Sequence, residues 1–228
     1  MKRIAMLIAL LLPVAVSAGV IEVKLKLPVK PKLNITGDER IAIAPFIIAT
    51  GGEKRNDRAA KVDVQAEFGR YLKKQLAKST KLRVVDVPAA TRLPGNDIKS
   101  LEQARDFWKD LGAKTGADYI VSGIVDFDIN DKSGYKTEEY TSPVDGRTFY
   151  RQVLVESTGF VFDIDIAVFN ADTGEKVVEE NFRDFKEFDQ SHYDELLGLF
   201  ENLRALEQQL VGIFVSSETS TTRYVFTQ

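Results

Sequence analysis

The side chains in this 228-residue sequence with the types for acid–base, nucleophilic or metal chemistry are few, and their spacing suits that chemistry poorly. His192 is the single histidine and cysteine is absent, so thiolate metal sites, cysteine nucleophiles and sites built from several imidazoles lack their groups. His192 follows Ser191 at the start of an apolar-periodic stretch and reads as a surface residue of a helix start. Asp126-Phe-Asp128-Ile-Asn130-Asp131 opens like a calcium loop, but Asp131 stands where that loop needs glycine and Thr137 where it needs a bidentate glutamate. Asp163 and Asp165 are a carboxylate pair, the raw material of general acid–base work. Their two-residue spacing on a strand is equally that of a solvated edge. Hydrolase-elbow, P-loop and dinucleotide motifs are missing. The expectation is no catalytic residue, no cofactor, no metal and no enzyme. Contact chemistry is better represented. Tyr135, Tyr140, Phe149 and Tyr150 flank a turn at Pro143 among Lys136, Glu138, Glu139, Arg147 and Arg151, the mixture that protein-binding surfaces use. Lys24 and Lys26 make a second, basic contact segment, and the outer face of the last helix a third.

Elements that would position these groups are legible from periodicity. Val20 to Leu27 alternates as a half-buried strand, stopped by Pro28 and Pro31. Arg40 to Ile48 is a nearly continuous apolar run, as a strand covered on both faces requires. Val64, Phe68, Leu72 and Leu76 recur every four residues, an amphipathic helix, and Leu82 to Val87 is the next strand. Ser100 with Gln103 has the capping-box spacing and opens one helix carrying Leu101, Ala104, Trp108 and Leu111 on one face, ended by Gly112 and Gly116. Asp118 to Ile129 is a third strand. After Asn130 the pattern turns polar through Arg151. Gln152 to Asn170 is then β-rich, with Phe160, Phe162, Ile164, Ile166 and Val168 on one side, and a turn at Asp172-Thr-Gly-Glu175 leads into a returning strand from Lys176 to Phe188. Leu196, Leu199, Leu203, Leu206, Leu210 and Ile213 mark a long helix over Ser191–Val215, and Thr221–Phe226 adds a last strand. The fold class that follows is α+β, three-layered like an α/β domain: a mixed sheet from βαβαβ, an antiparallel meander, and a long C-terminal helix. The predicted division is 1–18, a signal peptide; 19–38, an N-terminal arm or linker; and 39–228, one domain with a polar hairpin insertion at about 131–151.

Location is read from the first eighteen residues. Met1-Lys2-Arg3 is a positive start, Ile4–Val16 is apolar apart from Pro13, and Val16-Ser17-Ala18 places small residues around a cleavage site. The apolar run is thirteen residues, short of the roughly 20 that span a bilayer. The expectation is an exported chain, periplasmic or secreted, with no transmembrane helix after cleavage. Removing residues 1–18 leaves 29 basic against 34 acidic residues, a net of −5, from −3, which excludes a basic nucleic-acid binder.

Four segments resemble a known group. Arg40-Ile-Ala-Ile-Ala-Pro-Phe46, Lys81-Leu-Arg-Val-Val-Asp86, Gly116-Ala-Asp-Tyr-Ile-Val-Ser-Gly123 and Val168-Phe-Asn-Ala-Asp-Thr-Gly-Glu-Lys-Val177 resemble, in order, strands and a hairpin of the CsgG-like and TolB amino-terminal-domain-like families of the bacterial envelope. The resemblance implies a non-enzymatic envelope module acting through protein partners or self-association, with peripheral outer-membrane association as a further expectation. As the alternative it implies a subunit of an outer-membrane secretion or assembly complex. It carries over no catalytic residues, and the absence of cysteine departs from its lipoprotein members.

Overall fold

The computed structural model describes residues 19–33, 35–36, 38–49 and 58–227. The expected leader over 1–18 and most of the Thr50–Arg58 loop lie outside the described residues. Two units are distinguished: one formed by Gly19–Val29 with Ser217–Thr227, the other by Lys30–Ser216.

The larger unit is a five-stranded sheet in the order β3-β2-β4-β5-β6. Strands β2 (Arg40–Ile48) and β3 (Arg83–Val85) are parallel, as are β2 and β4 (Tyr119–Thr141). Strands β4, β5 (Thr148–Asn170) and β6 (Lys176–Phe188) are antiparallel. The expected mixed sheet and meander are therefore present. Helices α1 (Val64–Ser79) and α4 (Glu195–Gly212) cover one face, and α2 (Ile98–Gln103) and α3 (Arg105–Thr115) the other. Phe160, Phe162, Ile164, Ile166 and Val168 are all buried with Val121, Val125, Phe127 and Ile129 under α1 and α4. On the opposite face Leu101, Trp108 and Leu111 pack on Ala42, Ile120, Ala167 and Phe169. A bulge between Ile43 and Phe46 adds one residue to β2, so Ile41 and Phe46 reach the same core from positions of opposite parity. The Ser122 hydroxyl donates to the Pro45 carbonyl inside that bulge at 2.7 Å.

Several boundaries differ from the expected ones for local reasons. The second helix breaks in two at Ala104 (φ −86°, ψ 49°), and its N-cap is Asp97, whose side chain accepts from the Ser100 N–H, not Ser100. Helix α4 starts at Glu195, capped by Asp194, and Leu196 lies outside its buried stripe at 41% exposure. His192 precedes this helix at φ 54°, a left-handed conformation that histidine enters more readily than bulky residues do. The polar stretch after Asn130 is a hairpin continuous with the sheet strands. Each of β4 and β5 runs 23 residues, paired without interruption from Tyr119–Asn170 to Thr141–Thr148.

Gly198 lets α4 sit directly on β5. A Cβ there would lie 2.3–2.5 Å from the Phe160 ring, which is held against Phe127, Phe188 and Tyr193. Gly198→Val is expected to lower stability by about 3 kcal/mol, measured as a fall in urea midpoint at unchanged slope; a loss below about 1 kcal/mol would show that the helix slides aside.

In the smaller unit, β1 (Gly19–Val29) and β7 (Ser217–Thr227) form an antiparallel two-stranded sheet over eleven residue pairs, Gly19 against Thr227 through Val29 against Ser217. Its pairing with β1 groups the last strand with the N-terminal segment.

Candidate interaction surface

The conspicuous feature of the larger unit is the far half of the β4–β5 hairpin. Strand β6 pairs with β5 only from Phe169 to Thr158. Beyond that, ten residue pairs from Lys132–Ser157 to Thr141–Thr148 have no third strand beside them among the described residues, forming an arm about 30 Å long at the ordinary strand rise; only the first pair reaches β6, through Lys132 and Ser157 to Glu187 at 3.3 and 2.7 Å. A turn closes it: Ser142 and Arg147 share an N–H···O=C bond of 2.9 Å, and Gly146 takes φ +66°, where a side chain would be strained.

All four expected contact aromatics lie on this arm. Tyr135 and Tyr150 are each 74% exposed, and Tyr140 and Phe149 are 41% and 49% exposed. Strand alternation sorts them. One face carries Tyr135 opposite Leu154 and Glu139 opposite Tyr150; the other carries Tyr140 opposite Phe149 and Glu138 opposite Arg151. The Arg151 guanidinium lies 5.2 Å from the Tyr140 ring centre and reaches Glu138 at 3.5 Å, while Lys136 reaches Glu138 at 3.1 Å. The hydrogen bond from Lys136, then that from Arg151, holds the Glu138 carboxyl below the usual glutamate range. Leu154 and Val155 are exposed too. They escaped sequence reasoning because Val153-Leu154-Val155 is an unbroken apolar run, which normally means burial. Lys24 and Lys26 lie on β1 in the smaller unit, Lys26 paired with Glu218 at 3.4 Å.

The root of the arm is clamped by residues with no signal in the linear sequence. Arg58 donates twice to Asp131 at 2.6 and 2.7 Å, to Glu195 at 2.9 Å and to the Tyr193 carbonyl at 2.5 Å. The buried Thr158 hydroxyl bonds Asp131 at 2.8 Å and the Gln190 carbonyl at 3.0 Å, and the Phe188 and Tyr193 rings stack at 4.0 Å. Burial would lower the pKa of Arg58, but its hydrogen bonds to Asp131 and Glu195 outweigh this and raise it. Burial likewise opposes ionisation of Asp131 and is overcome by Arg58 and Thr158, so its pKa falls; the hydrogen bond from Arg58 lowers that of Glu195.

The carboxylates weighed for chemistry are otherwise engaged. Asp126, Asp128 and Asn130 alternate along extended β4, with Asp131 on the opposite face in the clamp, so no calcium loop forms there. Asp163 and Asp165 lie on β5, an interior strand and not an edge, half-buried. The Asn181 amide donates to both at 3.0 and 2.7 Å. Among the described residues no group of three histidine, cysteine or acidic side chains converges for a metal. A groove of about 580 Å³ lies between α1 and the β2–β3 edge, lined in part by Phe46, Arg70, Lys73 and Val85. Of its two carboxylates, Asp63 caps α1 and Asp86 pairs with Lys73. No helix of the described residues is long and apolar enough to cross a membrane.

No family model matches the chain, and no curated protein does. Solved structures share part of its backbone course. The hypothetical protein CT253 of Chlamydia trachomatis is 12% identical over 76% of this chain and 98% of its own, with a TM-score of 0.40. Lipoprotein GNA1162 of Neisseria meningitidis is 13% identical over 76% and 98%, also at 0.40. The LpoB C-terminal domain of Escherichia coli is 12% identical over 66% and 84%, at 0.34.

Proposed function

We propose that this chain is an exported, non-enzymatic module of the bacterial envelope, periplasmic or secreted, that captures a protein partner with the far half of the β4–β5 arm. One observation carries the reading: ten residue pairs of hairpin have no strand pairing to β6 and hold Tyr135, Tyr140, Phe149 and Tyr150 exposed on a backbone braced by Arg58. A hydrogen-bonded ladder fixes these rings before binding, so little ordering entropy is lost when they are covered. A membrane-crossing role for the same strands, as a pore-type alternative would need, is not favoured. Lys136, Glu138 and Arg151 interrupt one face and Glu139 the other, where a membrane strand requires a continuous apolar band.

The test is the double replacement Tyr140→Ala/Phe149→Ala, which removes one cross-strand ring pair. With the partner identified by crosslinking in intact cells and then purified, its dissociation constant is expected to rise on the order of 100-fold. Thermal stability should change by less than about 1 kcal/mol, because both rings are exposed. Unchanged affinity would remove this surface from the reading.

A further inference from the structure

The β1–β7 unit has a strand edge that no described strand covers. It is a sheet of two strands only, so among the described residues neither outer edge is paired with another strand. A two-stranded ribbon is marginally stable by itself in water, and a third and fourth strand with a shared apolar face are what normally make it persist. Strand β1 has such a face ready. Ile21, Val23, Leu25, Leu27 and Val29 alternate onto one side, with Ile21 53% and Leu27 50% exposed, while Glu22, Lys24 and Lys26 alternate onto the other. Strand β7 is a poorer candidate for extension, since that same face carries Arg223 opposite Val23 and Thr221 opposite Leu25.

We propose that β1 pairs antiparallel with β1 of a second copy of this chain, about a two-fold axis at Lys24. The strand is complementary to itself in this register. Gly19 falls opposite Val29 of the second copy, so all eleven residues find partners. On the apolar side Ile21 meets Leu27 and Val23 meets Leu25; on the polar side each Glu22 meets Lys26 of the other copy. The two Lys24 side chains meet on the axis, on the solvent side, where long ammonium arms splay apart. Moving the axis by one residue to Leu25 puts Lys24 against Lys26 and leaves Glu22 against Pro28. Moving it to Val23 leaves two residues of each strand unpaired. Pro28 lacks an N–H and sits opposite Val20 near the ends, where a missing ladder bond costs least. The product is a four-stranded sheet, β7-β1-β1-β7, whose central apolar stripe comes from both copies, and the isologous contact closes at two.

The pairing uses β1 residues and none of the β4–β5 arm, and is tested separately. Because the chain has no cysteine, a single introduced thiol reports unambiguously. In the full-length chain, Lys24→Cys is expected to link two copies under mild oxidation, since directly opposite Cβ atoms lie about 5 Å apart. Thr222→Cys, which faces Lys24 on β7, is expected to stay monomeric. By sedimentation, Glu22→Lys should raise the dimer dissociation constant roughly tenfold, as two attractive pairs become repulsive. The reciprocal Glu22→Lys/Lys26→Glu should restore it, whereas Tyr140→Ala/Phe149→Ala should leave it unchanged. A monomer at all concentrations, linkage through Val23→Cys or Thr222→Cys in place of Lys24→Cys, or no rescue by the charge exchange would overturn the proposal.

Discussion

Replacing Trp108 with alanine is expected to remove roughly 4 kcal/mol of stability and so lower the unfolding temperature by about 10 °C. Trp108 is fully buried, stacked on Phe169 at 4.1 Å and set edge-on to Phe107 at 4.8 Å. It is the largest side chain between the α2–α3 layer and the sheet. Its indole N–H donates to the Leu101 carbonyl at 2.7 Å, across the break between the two helices. Truncation therefore opens a cavity and removes the shorter of two hydrogen bonds at the Leu101 carbonyl, which keeps the Ala104 N–H at 3.3 Å; that loss adds about 1 kcal/mol. Trp108→Phe keeps most of the contact area, loses the same indole hydrogen bond, and should fall between the alanine variant and the native protein. Scanning calorimetry checks the series; an alanine effect below about 1.5 kcal/mol would mean that this layer does not unfold with the rest.

The second large effect belongs to Arg58. Arg58→Met retains the aliphatic packing but leaves Asp131 and Glu195 without their cation in a half-buried setting, and about 3 kcal/mol is expected to be lost. The acid limb separates this from a packing defect. Asp131 and Glu195 both have pKa values lowered in the folded state. Their stabilising contribution is complete above the unfolded values of about 3.9 and 4.3 and is lost as pH falls through the lower folded ones. The native protein should thus lose stability steeply below about pH 4, and Arg58→Met should show a shallower acid slope because less remains to lose. Parallel acid curves for the two proteins would sink the assignment. Hydrogen exchange should also rise first at the amides around Thr158, where the arm leaves the sheet.

How far this molecule can be read from its residues depends on which interactions repeat. The strands β2 and β6, helix α1 and the buried row from Phe160 to Val168 follow from periodicity alone, because each repeats one environment at a fixed interval. Where two periodic stretches abut, the reading failed: Leu101, Trp108 and Leu111 keep helical spacing across Ala104 although the backbone breaks there. The arm was legible as an aromatic-rich polar hairpin but not as a continuation of β4 and β5. Its solvated sides lack the alternation that marks a strand with one buried face, and only the cross-strand ladder shows it. The clamp joins Arg58, Asp131, Thr158 and Glu195 from four separate segments, a convergence that no local pattern encodes. The pairing of β1 with β7 joins segments nearly 200 positions apart and was equally silent.

The length of the arm has an electrostatic consequence. Its tip stands about 30 Å from the last β6 rung, several times the screening length of about 8 Å in physiological salt. The excess of acidic groups carried by the rest of the larger unit is therefore nearly invisible to anything approaching Val144. An arriving molecule senses the local set of Lys136, Glu138, Glu139, Asp145, Arg147 and Arg151, three cations and three anions. Encounter at this end should be almost indifferent to ionic strength, and swapping one of these six charges should alter it more than several substitutions on the helices.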